Sequence, residues 1–293
     1  MNRSEPDPRP VFLTGLDRTG KTPFRRALLS HSSVWLSRRT ALWSFHHGRY
    51  GDLAHGASLD RCLRALLASP AVAQLVPDPA ELVNALRSGV PTYGRLFGLI
   101  LGWHAASLGK PRWGEQDAEL ELAPARVFAD YPDATVIHFI RDPRFRLAGV
   151  VRDSGRRPGD TRVASGGWAR SVRRAEAWQA RFPGRYLMVR AEDFGDPPAD
   201  SLAHLAERLS DGRPLRSRLV EPTAEGLPSL PQTDVAFIEE HVGDLMERHG
   251  YRRMAPRLSA PARLRYRLVE LPAGELRLAV RRARARTSSG AGR

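Results

Sequence analysis

Residues 11–22, VFLTGLDRTGKT, narrow the options for this chain more than any other stretch. Val11 to Thr14 is a short apolar run of strand type, and Gly15, Gly20, Lys21 and Thr22 follow at the spacing GxxxxGK[ST]. Phe24, Ala27 and Leu28 then recur at i, i+3 and i+4, so a helix opens directly behind the turn. A glycine-framed turn between strand and helix aims consecutive backbone N–H groups at one spot. Backed by the positive end of the helix dipole, those groups form a nest for an anion. Lys21 and Arg18 add full positive charges. The stretch predicts a phosphate-binding loop, and at this point either ATP or another nucleotide carrying a transferable group satisfies it.

The remaining pattern alternates helices with strands. SLDRCLRALLA and PTYGRLFGLILGWHAASLG are amphipathic, the second carrying Tyr93, Leu96, Phe97, Ile100 and Leu101 on one face. A strand over Thr135 to Ile140 runs straight into Arg141, Asp142 and Pro143, where Asp142 is placed to cap a helix whose first residue is the proline. Further helices are predicted from Trp168 to Phe182, around Leu202, Leu205, Ala206 and Leu209, and from Val235 to His249, with YLMVR as a strand ending at Arg190. Strands separated by helices imply an α/β, three-layer fold, an open parallel sheet flanked by helices, with ligands at the carboxyl ends of the strands.

The length of 293 residues suits one α/β domain with helical insertions. Residues 1–10 read as a flexible lead-in, 11–255 as the domain, and 256–293 as a basic C-terminal extension whose last dozen residues have the composition of a disordered tail. No run approaches the roughly 18 apolar residues of a membrane span, and MNRSEPDPRP lacks a secretory core, so the expected location is cytoplasmic. The single cysteine, Cys62, falls on an apolar helical face and excludes disulfides and cysteine-based metal sites within the chain. A net charge of +14 suits nucleic acid, a membrane surface or an anionic small molecule without choosing among them. Almost all of it is arginine, Lys21 and Lys110 being the only lysines.

Were the nucleotide ATP with magnesium, Thr22 would ligate the metal and an acidic residue at a second strand end would support it, which makes a P-loop small-molecule kinase the alternative. Asp142 occupies that place, but it follows the cation of Arg141 and precedes Pro143, a setting suited to a cap.

Four stretches, taken in order, resemble a known family, the sulfotransferases that use 3'-phosphoadenosine 5'-phosphosulfate (PAPS), particularly the bacterial and tyrosyl-protein-like branch with a P-loop-like fold. GLDRTGKT is similar to the family's 5'-phosphosulfate loop, GxxRSGTT, and IRDPRFRLAG to its 3'-phosphate motif, RDPRxxxxS. GKPRWGEQDAELE resembles the segment before the 3' motif, and RYLMVRAEDFGDPPADSLAHLAERL the VRYEDLxxDP stretch and its helix. The resemblance implies sulfuryl transfer from PAPS to a hydroxyl or amine, with 3'-phosphoadenosine 5'-phosphate (PAP) as product and no metal. It implies that Asp17, Arg18, Thr19, Gly20, Lys21 and Thr22 hold the 5'-phosphosulfate and that Arg141 pairs with the 3'-phosphate.

Two departures stand out. Lys21 replaces the usual threonine and supplies a charge for the bridging oxygen, and Gly149 stands where a serine is expected, with Arg144, Arg152 or Ser154 as substitutes for its contact. For the base that takes the acceptor's proton the choice is Glu115 in RWGEQD, on a segment read as a turn near the sheet edge, with His46 and His47 as rivals. Glu192 and Asp193 are read as orienting backbone and arginines. The acceptor expected is a small molecule, carbohydrate or lipid, in a pocket that Trp43 and Trp103 are candidates to line. Nucleic acid is not an expected partner, while the basic tail is a candidate for weak contact with an anionic surface.

Overall fold

The computed structural model describes residues 5–31, 33–193, 205, 209 and 230–290. Five strands, β1 (Val11–Thr14), β2 (Val34–Arg38), β3 (Arg112–Gln116), β4 (Thr135–Ile140) and β5 (Tyr186–Arg190), form one sheet in the order β2-β3-β1-β4-β5. Every pairing is parallel: Val11 lies opposite Gly114 on one side and Thr135 on the other, Ser37 opposite Glu115, and Val136 opposite Tyr186. This is the α/β open parallel sheet of the P-loop-like class. The order reverses at β1, so the turn after β1 sits at the switch point where such sheets bind ligands.

The chain divides into two compact units, where the sequence suggests one domain with an extension. The first comprises Met1–Ile140 with Arg174–Glu221, and the second Arg141–Arg173 with Pro222–Arg293. In the first, the sheet buries both faces, as parallel sheets with crossover helices must. Phe12 points into one core, where it meets Trp43 edge-on at 4.9 Å and Trp43 stacks with Trp113 at 6.0 Å. Helices α2 (Gly56–Leu67), α4 (Pro79–Arg87) and α5 (Tyr93–Ser107) supply much of that core, to which the short helices α3 (Pro70–Ala73) and α6 (Ala125–Asp130) add Val72, Val127 and Phe128. Val11 and Leu13 point the other way, with Phe24 and Leu28 of α1 (Lys21–His31) and Phe139 of β4. Cys62 is buried in the first of these cores, and burial pushes its thiol up to about 12, which makes it an inert packing residue.

The second unit is helical. It contains α7 (Pro143–Ser154), the amino-terminal part of α8 (Asp160–Arg181), α9 (Gln232–Arg248), α10 (Ala260–Arg265) and α11 (Leu271–Gly290). Asp142 caps α7 as its spacing predicts, accepting from the Arg144 amide at 2.9 Å with Pro143 in the first turn. Of the helix predicted around Leu202, the described residues Leu205 and Leu209 are helical and buried, and the others lie outside the described residues. The extension read as a basic tail is helical from Ala260 to Gly290. Composition hides this because the side seated on the unit includes a glutamate and a glycine, Glu270 and Gly274, beside Tyr266 and Leu278. Among the described residues, no helix is long and apolar enough to cross a membrane.

Candidate active site

The loop between β1 and α1 is a strained, closely fitted turn. Gly15 adopts φ +106°, and a Cβ there would stand 2.4 Å from the Phe139 carbonyl oxygen of the neighbouring strand, so only glycine fits. Gly20 is likewise left-handed at φ +88°, and Arg18 holds φ +67° without glycine's freedom. The Thr19 hydroxyl donates to the Leu16 carbonyl at 2.7 Å and closes the turn from within. Lys21, the first residue of α1, is buried, and its ammonium donates to the Gly15 carbonyl. The lysine thus folds back across its own loop and brings a fixed charge beneath the helix N-terminus. Gln116 of β3 donates to the Thr22 hydroxyl at 3.3 Å.

Glu115 is not on an edge turn. It lies in β3, an interior strand between β2 and β1, and is fully buried. A strand with the sequence RWGEQ has no apolar run to announce it, which is why the sequence suggests a turn. Its Oε1 accepts from the Thr40 hydroxyl and, at 3.3 Å, from the Leu42 amide, while Thr40 is within 3.1 Å of the Ser37 hydroxyl. Its Oε2 makes no hydrogen bond. Burial, with the nearby Asp117 carboxylate, pushes the Glu115 carboxyl up to about 8 despite those donors. The segment that holds it is strained too: Arg39 and Ala41 sit at φ +61° and +50°. Left-handed non-glycine residues thus cluster in the turns after β1 and β2, the strands that flank Glu115.

The rival bases lie farther along the turn after β2. His46 is buried, its Nδ1 2.8 Å from the Tyr50 hydroxyl, and burial with the Arg49 cation pushes it below the usual histidine range. His47 places Nε2 3.1 Å from the Asp130 carboxylate, which also accepts from Trp43 at 2.8 Å. Trp43 is a core residue with no exposed surface. Trp103 lines a cleft of about 810 Å³ with Asp7 and Lys110, residues that precede β1 and β3 and so lie at the end of the sheet away from the loop.

Beneath the loop lies a polar group that the sequence does not announce. His138 of β4 has no exposed surface, and its Nδ1 is 2.8 Å from the Tyr186 hydroxyl. Its Nε2 lies 3.7 Å from Glu121, which accepts from Arg174 at 2.8 Å and, through its carbonyl, from Trp178 at 3.1 Å. Burial, with the Lys21 and Arg174 cations nearby, pushes His138 down to about 3, so the ring is neutral at physiological pH. A Cβ on Gly15 would come within 3.3 Å of this ring. His138 therefore forms part of the floor of the loop without competing for an anion.

In the second unit, Arg141 follows β4 directly, its guanidinium 5.1 Å above the Phe145 ring and its carbonyl accepting from Trp168 at 2.8 Å. Arg144 is committed elsewhere: it donates to Asp142 at 2.6–3.1 Å, to Glu239 at 2.7 Å and to the Arg252 carbonyl at 2.9 Å. This buried cluster excludes Arg144 as the stand-in for the serine missing at Gly149, and it binds the Asp142 carboxylate on both oxygens. Gly149 is buried within α7, and Arg152 is exposed beside Asp153. Glu192 and Asp193 form a short turn after β5, where Asp193 lies 3.6 Å from Arg190.

A parallel sheet that reverses at a glycine-framed, lysine-backed loop defines an α/β protein of the P-loop-like class. A model of the sulfotransferase family matches residues 10–211, more than half of the chain, and the chain belongs to that family. It is therefore an enzyme of sulfuryl transfer, and the kinase alternative is not favoured. Among solved structures it is similar to the sulfotransferase domain of the olefin synthase of Synechococcus PCC 7002, at 18% identity over 82% of this chain and 96% of that one, with a TM-score of 0.45. It is also similar to the sulfotransferase domain from the curacin biosynthetic pathway, at 18% identity over 90% and 98%, TM-score 0.44. The sulfotransferase of Alicyclobacillus acidocaldarius matches at 17% identity over 87% and 99%, TM-score 0.43. No curated protein matches the chain.

Proposed function

We propose that the sulfuryl donor is PAPS and that the acceptor is a hydroxyl or amine on a small molecule, carbohydrate or lipid. The observation that carries this reading is the Gly15–Thr22 loop, whose left-handed glycines pack closely against Phe139 and Ala191 and whose buried Lys21 supplies a cation at the start of α1. These residues fit a phosphosulfate: amide donors, a helix N-terminus and two cations, Arg18 and Lys21, suit a group of delocalised negative charge. The donor supplies an activated SO3 group and leaves as the bisphosphate. Lys21 and the loop amides neutralise charge as it gathers on the departing phosphate, acting chiefly by position and electrostatics. Arg141, steadied on Phe145, offers its planar fork to the 3'-phosphate. Asp17, Thr19 and Thr22 complete the loop, and a serine at Gly149 is expected to tighten PAP binding.

Glu115 receives the acceptor's proton. Thr40 and Leu42 hold its Oε1, leaving Oε2 as the oxygen on which the proton settles. A carboxyl titrating near the operating pH is suited to that task.

Thermal stabilisation by PAP in the presence of a chelator tests the donor: stabilisation by ATP with magnesium alone defeats it. Glu115→Gln is expected to abolish turnover while PAP still stabilises the protein. Full activity in that variant transfers the role to His46 or His47.

A further inference from the structure

The helix from Ala260 to Gly290 carries a feature that sulfuryl transfer does not use. α10, a π-turn over Tyr266–Glu270 and α11 follow one another without a break. One side is seated within its own unit. Tyr266 stacks on Phe237, Glu270 accepts from Arg156 at 3.0 Å and from the Gly159 amide at 2.7 Å, and Gly274 packs against Arg162 and Gly159. With Leu278, 2% exposed, these residues recur every four positions.

Two positions out of phase, and so on the opposite side, Leu264, Leu268, Leu276 and Val280 are exposed by 59%, 66%, 67% and 42%. A four-residue repeat drifts by about 40° per step around a straight α-helix. The π-turn, which takes up an extra residue, offsets the drift and keeps both stripes aligned.

The seated stripe accounts for the helix's place in the fold, and the exposed one plays no part in it. Arg263, Arg265 and Arg267 lie exposed beside it, and over residues 260–290 the sequence holds eight arginines against two glutamates. An apolar stripe set among arginines is the pattern of a helix that lies in a membrane interface. We propose that this helix docks on an anionic lipid bilayer, with Leu264, Leu268, Leu276 and Val280 entering the acyl boundary and Arg263, Arg265 and Arg267 engaging headgroup phosphates. Charge decides among the occupants. A second copy would set Arg263, Arg265 and Arg267 against the same arginines, and a nucleic acid has phosphates for the arginines but no apolar layer for the leucines.

Vesicle flotation of the full chain tests this at about 0.1 M salt, where the screening length is about 10 Å. The probes are phosphatidylcholine vesicles with and without phosphatidylglycerol. The protein is expected to float with the anionic vesicles alone. Leu268→Glu combined with Leu276→Glu, both at exposed positions, is expected to weaken flotation by about tenfold or more at an unchanged melting temperature. Absence of flotation by the unaltered chain overturns the proposal, as does undiminished flotation of the double variant, which would mark adhesion by charge alone. Binding of duplex RNA that displaces the vesicles and ignores the leucine changes overturns it in favour of nucleic acid, and a dimer lost in the double variant overturns it in favour of self-association. Stabilisation by PAP does not involve this helix, so failure here leaves the donor reading standing.

Discussion

At the residue scale the phosphate loop depends on what is missing from Gly15. A methyl group there meets the Phe139 carbonyl at 2.4 Å and must also hold φ +106°, a conformation side chains rarely adopt. Strain of that kind costs about 1–3 kcal/mol before the clash is counted. Gly15→Ala is therefore expected to lower the melting temperature and to abolish stabilisation by PAP. A variant that melts like the parent and still responds to PAP contradicts the geometry described for the loop. Gly15, Gly20 and Lys21 were legible in the sequence because their spacing is local and each has a backbone or charge requirement of its own. His138 was not, because it belongs to an apolar strand, TVIHFI, and gains its meaning from Tyr186 and Glu121, 48 and 17 positions away.

At the element scale β3 and β4 carry opposed titrations. Glu115 has a folded pKa raised from 4.5 to about 8, so the stability tied to its protonated form is complete below about 4.5 and is lost as pH rises through 8. His138 is depressed from 6.5 to about 3, so its neutral form contributes fully above 6.5 and that contribution is lost as pH falls toward 3. Melting temperature is expected to decline by several degrees in the parent between about pH 6.5, above which the His138 contribution is complete, and pH 8, with Glu115→Gln flattening that decline. An identical alkaline slope in both proteins would place the titration elsewhere. The strands β1 and β4 and the capped start of α7 were readable from the sequence, since an apolar run followed by Asp-Pro has a local explanation. β3 escaped because RWGEQ holds its place through neighbours on both sides, Ser37 opposite Glu115 and Val11 opposite Gly114.

At the scale of the whole molecule the chain separates its labours. The first unit holds the phosphate loop and the buried carboxyl, while the second holds Arg141 and the arginine-rich helix. Ending the chain after residue 280 is expected to keep the melting temperature, because Tyr266, Glu270 and Leu278 remain seated, and to weaken vesicle flotation through the arginines removed. Ending it after residue 259 removes Tyr266 from Phe237 and Glu270 from Arg156 and is expected to lower the melting temperature clearly. Equal melting of the two truncations would show that the seated stripe contributes nothing. The π-turn over Tyr266–Glu270 gives this arrangement a single point of failure. Deleting Val269 alone would rewind everything after it by about 100°, bringing Ala279 round to the seat of Leu278 and turning the distal leucine away from its proximal partners. One codon thus sets the phase between the part of the helix that belongs to the fold and the part that faces outward.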